Sequence, residues 1–533
     1  MSDNMTKKNL SPQNKPKKGK WKVAACIILI LELLGIAAAM ITLAMLNLLP
    51  MLYFVGVAAI LLLLLLISYK LLFAGRKKKK DGEASPEEEK KRKRGLTVKR
   101  TFGSILAAIV LIVCILIVTI SIQGMSVMTA VGTDDPETVT VENMVGVYVR
   151  AADEAQAISD VTGDAMGYSE SYEADQIKKT LTAIEKETNA ALNKVSYDTV
   201  HDMAAALYDS SVRSVVLSTA YVEILEDQEE FENFSEDTRM IYSYTVKTRE
   251  TVKRRSTKDE AKETFVVYIS GSDTRSRTLS KSRSDVNILA VVNPKTHQVL
   301  LINTPRDFYV PISISSGSKD KLTHCGIYGI ECSMDTLGNL YGVDVDHYAQ
   351  INFTGFETLI DAIGGVDVYS EKTFRTREGR YQVYEGENHM SGAVALAFCR
   401  DRYAFSDGDN ARGRHQMAVI AAIIDKLSAS TILSSYSDIL KSIEGMFTTD
   451  FTSSEMSSLV KLQLKDGAKW NVKNYAVTGT GGKDYTYSVP NKKAYVTYPD
   501  QSTIDFAKGL IKKVQDGKKL TDEDLKASSS DSE

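Results

Sequence analysis

Residues 286–304 read VNILAVVNPKTHQVLLINT, and this stretch decides the fold of the larger part of the chain. Its two apolar runs, Val286–Val292 and Gln298–Thr304, have the length and the aliphatic composition of buried β-strands. The segment between them, NPKTH, has the composition of a turn. The stretch therefore predicts two neighbouring strands joined by a short turn.

Further strands and helices alternate around this pair. Phe265–Ile269 has the pattern of a short buried strand, and Gly364 and Gly365 mark a helix end. Downstream, the spacing of apolar residues predicts helices at Met334–Leu340, Phe356–Ile363, Ser391–Ala397, Arg412–Leu427 and Ser502–Val514, and strands at 366–370, Phe398–Arg402, Trp470–Val477 and Ala494–Tyr498. This alternation predicts a layered α/β/α domain over residues 262–516, followed by a disordered tail at 517–533.

A smaller α/β domain is predicted at residues 140–250. The patterns there indicate a helix at Asp175–Val195 and strands at Asn143–Arg150, Val215–Ile224 and Met240–Val246. We find no cluster of catalytic side chains in this stretch. A polar segment, KTRETVKRRSTKDEAKET, links it to the larger domain.

Three long apolar runs precede both domains, at about 23–46, 51–74 and 102–122. Each is long enough to cross a bilayer, whereas a signal peptide has a shorter apolar core. Buried helices of a soluble protein are the alternative. The tail at 1–22 and the loop at 75–101 are rich in Lys and Arg, and such flanks stay in the cytoplasm. The sequence thus predicts a cell-membrane protein with three spans, a cytoplasmic N-terminus and an extracellular remainder.

The composition bounds the classes of function. The formal net charge is −3, and we expect no nucleic-acid partner. Five Cys and six His without a Cys-x-x-Cys pair argue against a zinc site. Cys325 and Cys332 either form a disulfide outside the cell or lie two turns apart on one helix, too far to bond. Glu32, inside the first apolar run, either pairs within the membrane or lies near its interface.

The stretch 399–416, CRDRYAFSDGDNARGRHQ, concentrates positive charge before a long apolar helix. On the predicted strand Phe398–Arg402, Arg400 and Arg402 would face the same side. Asn410 would cap a helix that starts at Ala411, with Asp409 at its N-terminus. Arg412 and Gln416 then share one helix face. Arginine forks at a helix N-terminus favour a phosphate ligand.

Other charged residues stand at corresponding places along the predicted sheet. Asp273 and Asp285 flank the loop between the first two strands, Arg306 follows the next strand, and Lys321 lies in a later loop. Ligands of open α/β sheets gather at strand ends. Two carboxylates with several cations therefore indicate a magnesium ion and a polyphosphate. Solvated ion pairs without a ligand are the alternative reading of the same residues.

Three separated motifs in this order resemble the LytR–CpsA–Psr (LCP) family. They are SDVNILAVVNPKTHQVLLINTPRDFYV, KLTHCGIYGIECSMDTLGNLYGVDVDHYAQINFTGFETLIDAIGGVDV and CRDRYAFSDGDNARGRHQ. The resemblance covers about 265–427. It implies a three-layer α/β/α domain with a central mixed sheet. The small α/β accessory domain and the three spans resemble the capsule-associated CpsA subgroup more loosely.

The resemblance implies an enzyme that moves a glycopolymer, such as teichoic acid or capsule, from a polyprenyl pyrophosphate carrier onto peptidoglycan outside Gram-positive membranes. It implies that Asp273 and Asp285 hold Mg²⁺, or Mn²⁺ in its place, and that Asp409 orients the cationic residues. The implied pyrophosphate contacts are Arg306, Lys321, Arg400, Arg402, Arg412 and Gln416, of which Arg306, Arg400 and Arg402 are also implied to be catalytic together with the two aspartates. Many relatives carry arginine directly before the glutamine, where this chain has His415, and we expect Arg414 to point elsewhere.

Two other functions are compatible with the same residues. A pyrophosphatase would transfer the glycan phosphate to water instead of peptidoglycan. A membrane scaffold for capsule-assembly proteins would use the accessory domain and the spans without catalysis. The lipid of the carrier requires an apolar groove, for which Leu359, Ile363, Val419, Ile420 and Ile423 are candidates, although such residues more often belong to the core.

Overall fold

The computed structural model describes most of the chain, in two compact units at Met1–Ser126 and Val127–Glu533. The described residues are 20–75, 85–131, 138–251, 253–274, 279–376, 379–406, 408–427, 439 and 441–526.

The first unit consists of three long helices, α1 (Lys20–Leu46), α2 (Met51–Leu72) and α3 (Pro86–Val131). All three are long and apolar enough to cross a membrane. Helix α3 begins well before the third apolar run, because the Lys, Arg and Glu residues ahead of that run are good helix formers. Between α1 and α2, the Ser68 hydroxyl donates a hydrogen bond to Glu32 Oε1 at 3.0 Å. This contact satisfies one oxygen of the buried carboxyl group.

The accessory domain is a five-stranded mixed sheet with helices packed against it. The sheet order is β3-β2-β4-β1-β5. Its strands are β1 (Thr138–Arg150), β2 (Ala165–Ser169), β3 (Asn193–Tyr197), β4 (Ser214–Ser218) and β5 (Thr238–Thr251), and its helices are α4 (Ala174–Thr188), α5 (Val200–Tyr208), α6 (Thr219–Glu226) and α7 (Phe234–Asp237).

One predicted strand of this domain is a strand only in its first half. Strand β4 ends at Ser218, and the rest of the predicted strand Val215–Ile224 belongs to α6. Because Tyr221, Ile224 and Leu225 are buried at helical spacing, tertiary packing selects the helix over a continued strand. The predicted helix Asp175–Val195 is also too long, since it ends at Thr188 and is followed by β3.

The larger domain is built on a six-stranded mixed sheet in the order β16-β11-β6-β7-β8-β17. Strand β7 is antiparallel to both neighbours, whereas β11 is parallel to β6 and β17 is parallel to β8. The strands of this domain are β6 (Phe265–Ser272), β7 (Val286–Asn293), β8 (Gln298–Asn303), β9 (Tyr309–Pro311), β10 (Lys319–Lys321), β11 (His347–Asn352), β12 (Val366–Ser370), β13 (Phe374–Arg375), β14 (Gln382–Val383), β15 (Gly386–Met390), β16 (Phe447–Thr449), β17 (Asn471–Ala476), β18 (Gly479–Tyr485) and β19 (Lys493–Pro499).

Helices cover both faces of this sheet. They are α8 (Cys325–Tyr328), α9 (Ile330–Tyr341), α10 (Phe353–Ala362), α11 (Gly392–Arg400), α12 (Asp409–Lys426), α13 (Ser453–Asp466), α14 (Gln501–Gln515) and α15 (Asp522–Lys526). Alternate residues of β7 face opposite ways: Leu289 joins the core formed with α9 and α14, and Ile288 packs in the core that contains Met417 of α12. The predicted three-layer α/β/α fold with a mixed sheet is confirmed.

Several local predictions differ from the structure. The segment Phe398–Arg402 is not a strand, because α11 continues through its alanine-rich sequence to Arg400. Helix α12 begins at Asp409 with Gly408 as its N-cap, so Asn410 is inside the helix and does not cap it. The predicted disordered tail contains α15, and residues 527–533 lie outside the described part.

Cys325 and Cys332 do not lie on one continuous helix. Cys325 begins α8 and Cys332 belongs to α9, and the two helices are separated at Gly329, whose φ is 115°. Only glycine adopts this conformation at low cost. Both thiols are free and buried.

Candidate active site

The site is built where three adjacent strands of the central sheet meet one edge. Asp273 directly follows β6, Asp285 directly precedes β7, and Arg306 follows β8. Because β7 is antiparallel to both neighbours, the end of β6, the start of β7 and the end of β8 lie at the same edge. Local strand order therefore places two carboxylates and a guanidinium together.

Helix α12 brings a second set of side chains to this edge. A Cβ added to Gly413 would lie 2.1 Å from Nδ2 of Asn303, the last residue of β8. Only a glycine permits so close an approach of helix to strand. This approach sets the first turns of α12, with Arg412 and Gln416, beside the strand ends.

These residues line one cavity of about 900 Å³. Its charged end is lined by Asp273, Arg283, Asp285, Arg306, Arg400, Arg402, Arg412 and Gln416. Its apolar part is lined mainly by Phe353, Phe356, Leu359, Leu396, Ile420 and Ile423. Of the predicted groove residues, Leu359, Ile420 and Ile423 do line it, while Ile363 and Val419 are buried in the adjacent core.

Ion pairs fix the orientation of the arginines at the charged end. Arg306 Nη1 donates to Asp285 Oδ1 at 2.8 Å, and Arg412 Nη2 lies 2.5 Å from Asp409 Oδ1. Burial would raise the pKa of the Asp285 carboxyl, but the charges of Arg306 and Arg283 outweigh burial and hold that pKa below its usual value. Asp285 is therefore ionised at neutral pH, and Asp409 contacts Arg412, one of the cationic residues that the resemblance implies it orients.

The two aspartates of the cavity fit a divalent cation. Burial, and next the negative charge of Asp285, raise the pKa of the Asp273 carboxyl above its usual value. Because the charge of Asp285 opposes the ionisation of Asp273, a cation held by both carboxylates would favour the ionised form of Asp273. Within the described residues no group of three or more His, Cys, Asp or Glu side chains is arranged as a metal site. A site of two carboxylates suits Mg²⁺, which completes its shell with phosphate oxygens and water.

Arg400 and Arg402 reach the cavity from a different local structure than the sequence predicts. Arg400 is the last residue of α11, and Arg402 lies in the irregular segment that follows. The Arg400 guanidinium lies over the ring of Phe353, 4.7 Å from its centroid. Arg402 Nη2 donates to the hydroxyl of Tyr403 at 3.0 Å. Both arginines nevertheless line the cavity together.

Lys321 lies elsewhere than expected. It does not line the cavity, and its side chain is only 3 % exposed. Its ammonium group donates to Asp227 Oδ2 of the accessory domain at 2.7 Å and lies 3.6 Å from Asp307 Oδ1. A buried lysine needs such counter-charges. The expected direct contact of Lys321 with pyrophosphate is therefore not available in this arrangement.

Two residues of the site were missed in the sequence. Arg283 lines the cavity, and its Nε donates to Glu223 of α6. Burial raises the pKa of Glu223 to about 7, against the opposing charge of Arg283. The position of Arg283, two residues before Asp285, was a signal in the sequence. Glu223 had none, because its segment has the pattern of a strand.

The residues next to Gln416 follow the expectation. Arg414 Nε donates to Glu371 Oε1 at 3.2 Å, and Arg414 is not among the residues that line the cavity. His415 is buried, and its ring stacks on that of Phe398 with centroids 4.0 Å apart. Burial lowers the pKa of His415 to about 4. His415 is thus a neutral packing residue rather than a phosphate ligand.

The model of the LytR_cpsA_psr family matches residues 233–504, about half of the chain. The chain belongs to the LytR–CpsA–Psr family. One curated relative is the polyisoprenyl-teichoic acid–peptidoglycan teichoic acid transferase TagU of Enterococcus faecalis. This chain is 34% identical to it over 241 residues, which cover 44% of this chain and 78% of the relative. It is 33% identical to the TagU of Bacillus cereus, covering 42% and 75% of the two chains. The solved structure of B. subtilis TagU is 29% identical, with 49% of this chain and all of the other covered at a TM-score of 0.37.

Proposed function

We propose that this LCP protein is a membrane-bound phosphotransferase of the cell wall. It moves a glycopolymer, a teichoic acid or capsular polysaccharide, from a polyprenyl pyrophosphate carrier to peptidoglycan. The acceptor hydroxyl attacks the phosphorus that carries the glycan, and the bond from this phosphorus to the bridging oxygen breaks. Polyprenyl phosphate leaves, and the hydroxyl proton passes to a carboxylate, for which we assign Asp273 or Asp285. The product is a phosphodiester between glycan and peptidoglycan.

One observation carries this proposal. A single cavity joins an apolar interior to a cluster of arginines at the sheet edge. A polyprenyl pyrophosphate has the same two parts, an apolar chain and a doubly charged head, and the names of the curated relatives describe polyisoprenyl-linked substrates. Phosphoryl transfer needs positioning and charge neutralisation more than covalent help from the protein. Arginines around the head would supply both.

Each cationic residue has a distinct place in this scheme. Arg306 and Arg412 are oriented by Asp285 and Asp409, so their guanidinium groups are fixed before the donor binds. Arg400 ends α11 and Arg402 lies in the irregular segment that follows, and both line the same cavity. Together the four groups would clamp oxygens that gain charge in the transition state. Gln416 would donate a neutral hydrogen bond to the same head.

The proposed metal is Mg²⁺, with Mn²⁺ as a substitute. Asp273 and Asp285 would hold it, and when bound it would neutralise charge on the phosphate oxygens. The arginines orient the donor and exclude alternative poses independently of this ion. The three apolar helices support a membrane location, where the carrier lipid is held.

The test is a transfer assay with the full chain in detergent. A polyprenyl-pyrophosphate-linked glycan is supplied with peptidoglycan fragments, in Mg²⁺ or in EDTA, and the products are read by mass spectrometry. We expect a glycan–phosphate–muramyl adduct that depends on the divalent ion. Free glycan phosphate without an adduct would replace the transferase with a pyrophosphatase. Folded protein without any turnover would contradict both enzymatic functions and favour a scaffold.

A further inference from the structure

The accessory domain presents two acids to Arg283, one of the cations at the charged end of the cavity. Glu223 lies on α6, and Asp227 directly follows the last residue of that helix. Glu223 accepts a hydrogen bond from Arg283 Nε, and Asp227 Oδ1 lies 3.5 Å from Arg283 Nη1. The Arg283 side chain is 13 % exposed, and both of these partners come from the other domain.

Asp227 has a second cationic contact on its other oxygen. Asp227 Oδ2 accepts from Lys321 Nζ at 2.7 Å and lies 3.4 Å from Nε2 of the buried His324. His324 Nδ1 in turn lies 2.7 Å from Asp320 Oδ1. Burial opposes the ionised form of Asp227, but the nearby His324 imidazole and the charge of Lys321 outweigh it and hold the pKa of Asp227 far below its usual value. Asp227 thus stays ionised as the counter-charge of this buried group.

We propose that the accessory domain completes the phosphate site, with Glu223 and Asp227 positioning Arg283. This inference rests on the proposed function, which it deepens by naming which domain orients part of the pyrophosphate clamp. Glu223 and Asp227 are positioning residues, since neither lines the cavity. They act on the donor through Arg283, which does line it.

Competition among carboxylates explains why an outside acid is needed. Arg283 is close enough to Asp273 and Asp285 for its charge to affect both of them. Without a partner of its own, Arg283 would form an ion pair with one of these aspartates, which are the proposed metal ligands. Glu223 accepts the hydrogen bond of the guanidinium Nε, and both aspartates remain in the lining of the cavity. A buried or partly buried guanidinium takes the partner with the best hydrogen-bond geometry.

Other ion pairs between the two domains provide a contrast. Lys483 Nζ lies 2.6 Å from Glu229 Oε1, but these side chains are 58 % and 77 % exposed. Such a pair contributes little to stability and touches no cavity residue. Glu229 lies three residues after Glu226, the end of α6, and joins the same two domains. It is therefore a matched control for Glu223, because it belongs to the same domain and makes the same type of contact but binds no cation of the site.

The test is a double-mutant cycle in the full chain. Glu223→Gln is made alone and together with Arg283→Lys, which keeps the charge but loses the paired donors of the guanidinium. We expect Glu223→Gln to lower kcat/KM of transfer about tenfold, because a misplaced Arg283 holds the pyrophosphate less well in both the ground state and the transition state. In the Arg283→Lys background the same change should lower kcat/KM less than about twofold. Asp227→Asn is measured with the same readouts.

Glu229→Gln is expected to leave kcat/KM within about twofold of the parent. Equal losses from Glu223→Gln in both backgrounds, or a loss no larger than that of Glu229→Gln, would overturn the proposal. Binding of inorganic pyrophosphate by calorimetry repeats the cycle without turnover, so it decides the inference even if the wild-type protein transfers nothing. If the effect of Glu223→Gln on the Kd differs by about threefold or more between the parent and the Arg283→Lys background, the result supports positioning. If the two effects are additive, the result contradicts positioning.

Discussion

At the residue scale, the site separates arginines that face the cavity from arginines that do not. Arg400 and Arg402 line it, whereas Arg414, twelve residues after Arg402, pairs with Glu371 instead. The same residue type in one short stretch of sequence thus has two roles. The direction and burial of each side chain determine whether an arginine lines the cavity. Sequence spacing predicts this direction only within regular helices and strands.

Replacement of a cavity arginine should remove transfer without unfolding the protein. We expect Arg400→Ala or Arg402→Ala to lower the rate of adduct formation about 100-fold, the usual cost of losing one charge-stabilising donor. Both side chains are at least partly exposed, so their loss leaves no buried void. Arg414→Ala is the control and should stay within about twofold. Normal activity of both Arg400→Ala and Arg402→Ala would contradict the proposed clamp.

His415 should make stability depend on pH. Its pKa is lowered to about 4 from an ordinary value of 6.5, so the folded state favours the neutral ring. Stability is therefore full above pH 6.5 and is lost as pH falls toward 4, by about 3 kcal/mol. His415→Phe retains the stacking ring and removes this loss, which thermal unfolding at pH 7 and pH 4.5 measures. His389→Phe is the control, because the His389 side chain is 61 % exposed, and it should keep the pH effect of the wild type. An equal loss of stability at low pH in His415→Phe and in the wild type would refute the role of His415.

At the scale of elements, the position of α12 against β8 holds half of the arginine cluster in place. A Cβ at position 413 would overlap the side chain of Asn303. Gly413→Ala should therefore push the start of α12 away from the sheet, with a loss of about 1–3 kcal/mol in the free energy of unfolding. Because Arg412 and Gln416 move with the helix, transfer should fall about tenfold to 100-fold.

The control for this prediction is Gly509, in the interior of α14, where an added Cβ meets nothing within 4 Å. Gly509→Ala should stabilise the protein by about 0.5–1 kcal/mol and leave transfer unchanged. Urea unfolding and the adduct assay measure the two effects. A tolerated Gly413→Ala, active and as stable as the parent, would show that the helix does not need this close approach.

Elements with a continuous apolar run were predicted correctly from the sequence. Elements whose secondary structure depends on tertiary packing were not. The runs in β7 and β8 are buried over nearly their whole length, so their apolar composition alone identified them. The segments of α6 and of the end of α11 contain valine, phenylalanine or isoleucine. Short segments of this composition are compatible with a strand or a helix, and tertiary contacts determine which one forms. The missed Glu223 follows from the first of these errors.

The charged edge was predicted for a different reason. Asp273, Asp285 and Arg306 each adjoin a predictable strand, so knowing the strands was enough to bring them together. Lys321 ends the short strand β10, and its burial against Asp227 depends on how two domains pack. Contacts between domains leave no periodic pattern in either sequence. The sequence therefore predicted most of the larger domain's share of the site, without Arg283, and did not predict the accessory domain's.

At the scale of the whole molecule, the three spans and their basic flanks predict the sides of the membrane. Single cysteines at Lys90 and at Asp522, both exposed, are introduced in a Cys26→Ser background. The other native thiols are buried. We expect an impermeant maleimide to label Asp522→Cys in intact cells and Lys90→Cys only after permeabilisation, because basic loops stay inside. The reverse labelling would invert the topology and separate the site from peptidoglycan.

The most direct measurement is a crystal structure of the full chain with a polyprenyl pyrophosphate and Mg²⁺. We predict that the diphosphate lies within hydrogen-bond distance of Arg306, Arg400 and Arg412, with the lipid chain between Leu359 and Ile420. A cation should bridge the diphosphate and the two aspartates, Asp273 and Asp285. A donor bound elsewhere on the protein, with this cavity empty, would contradict the central claim that the arginine cluster exists to hold a lipid-linked pyrophosphate.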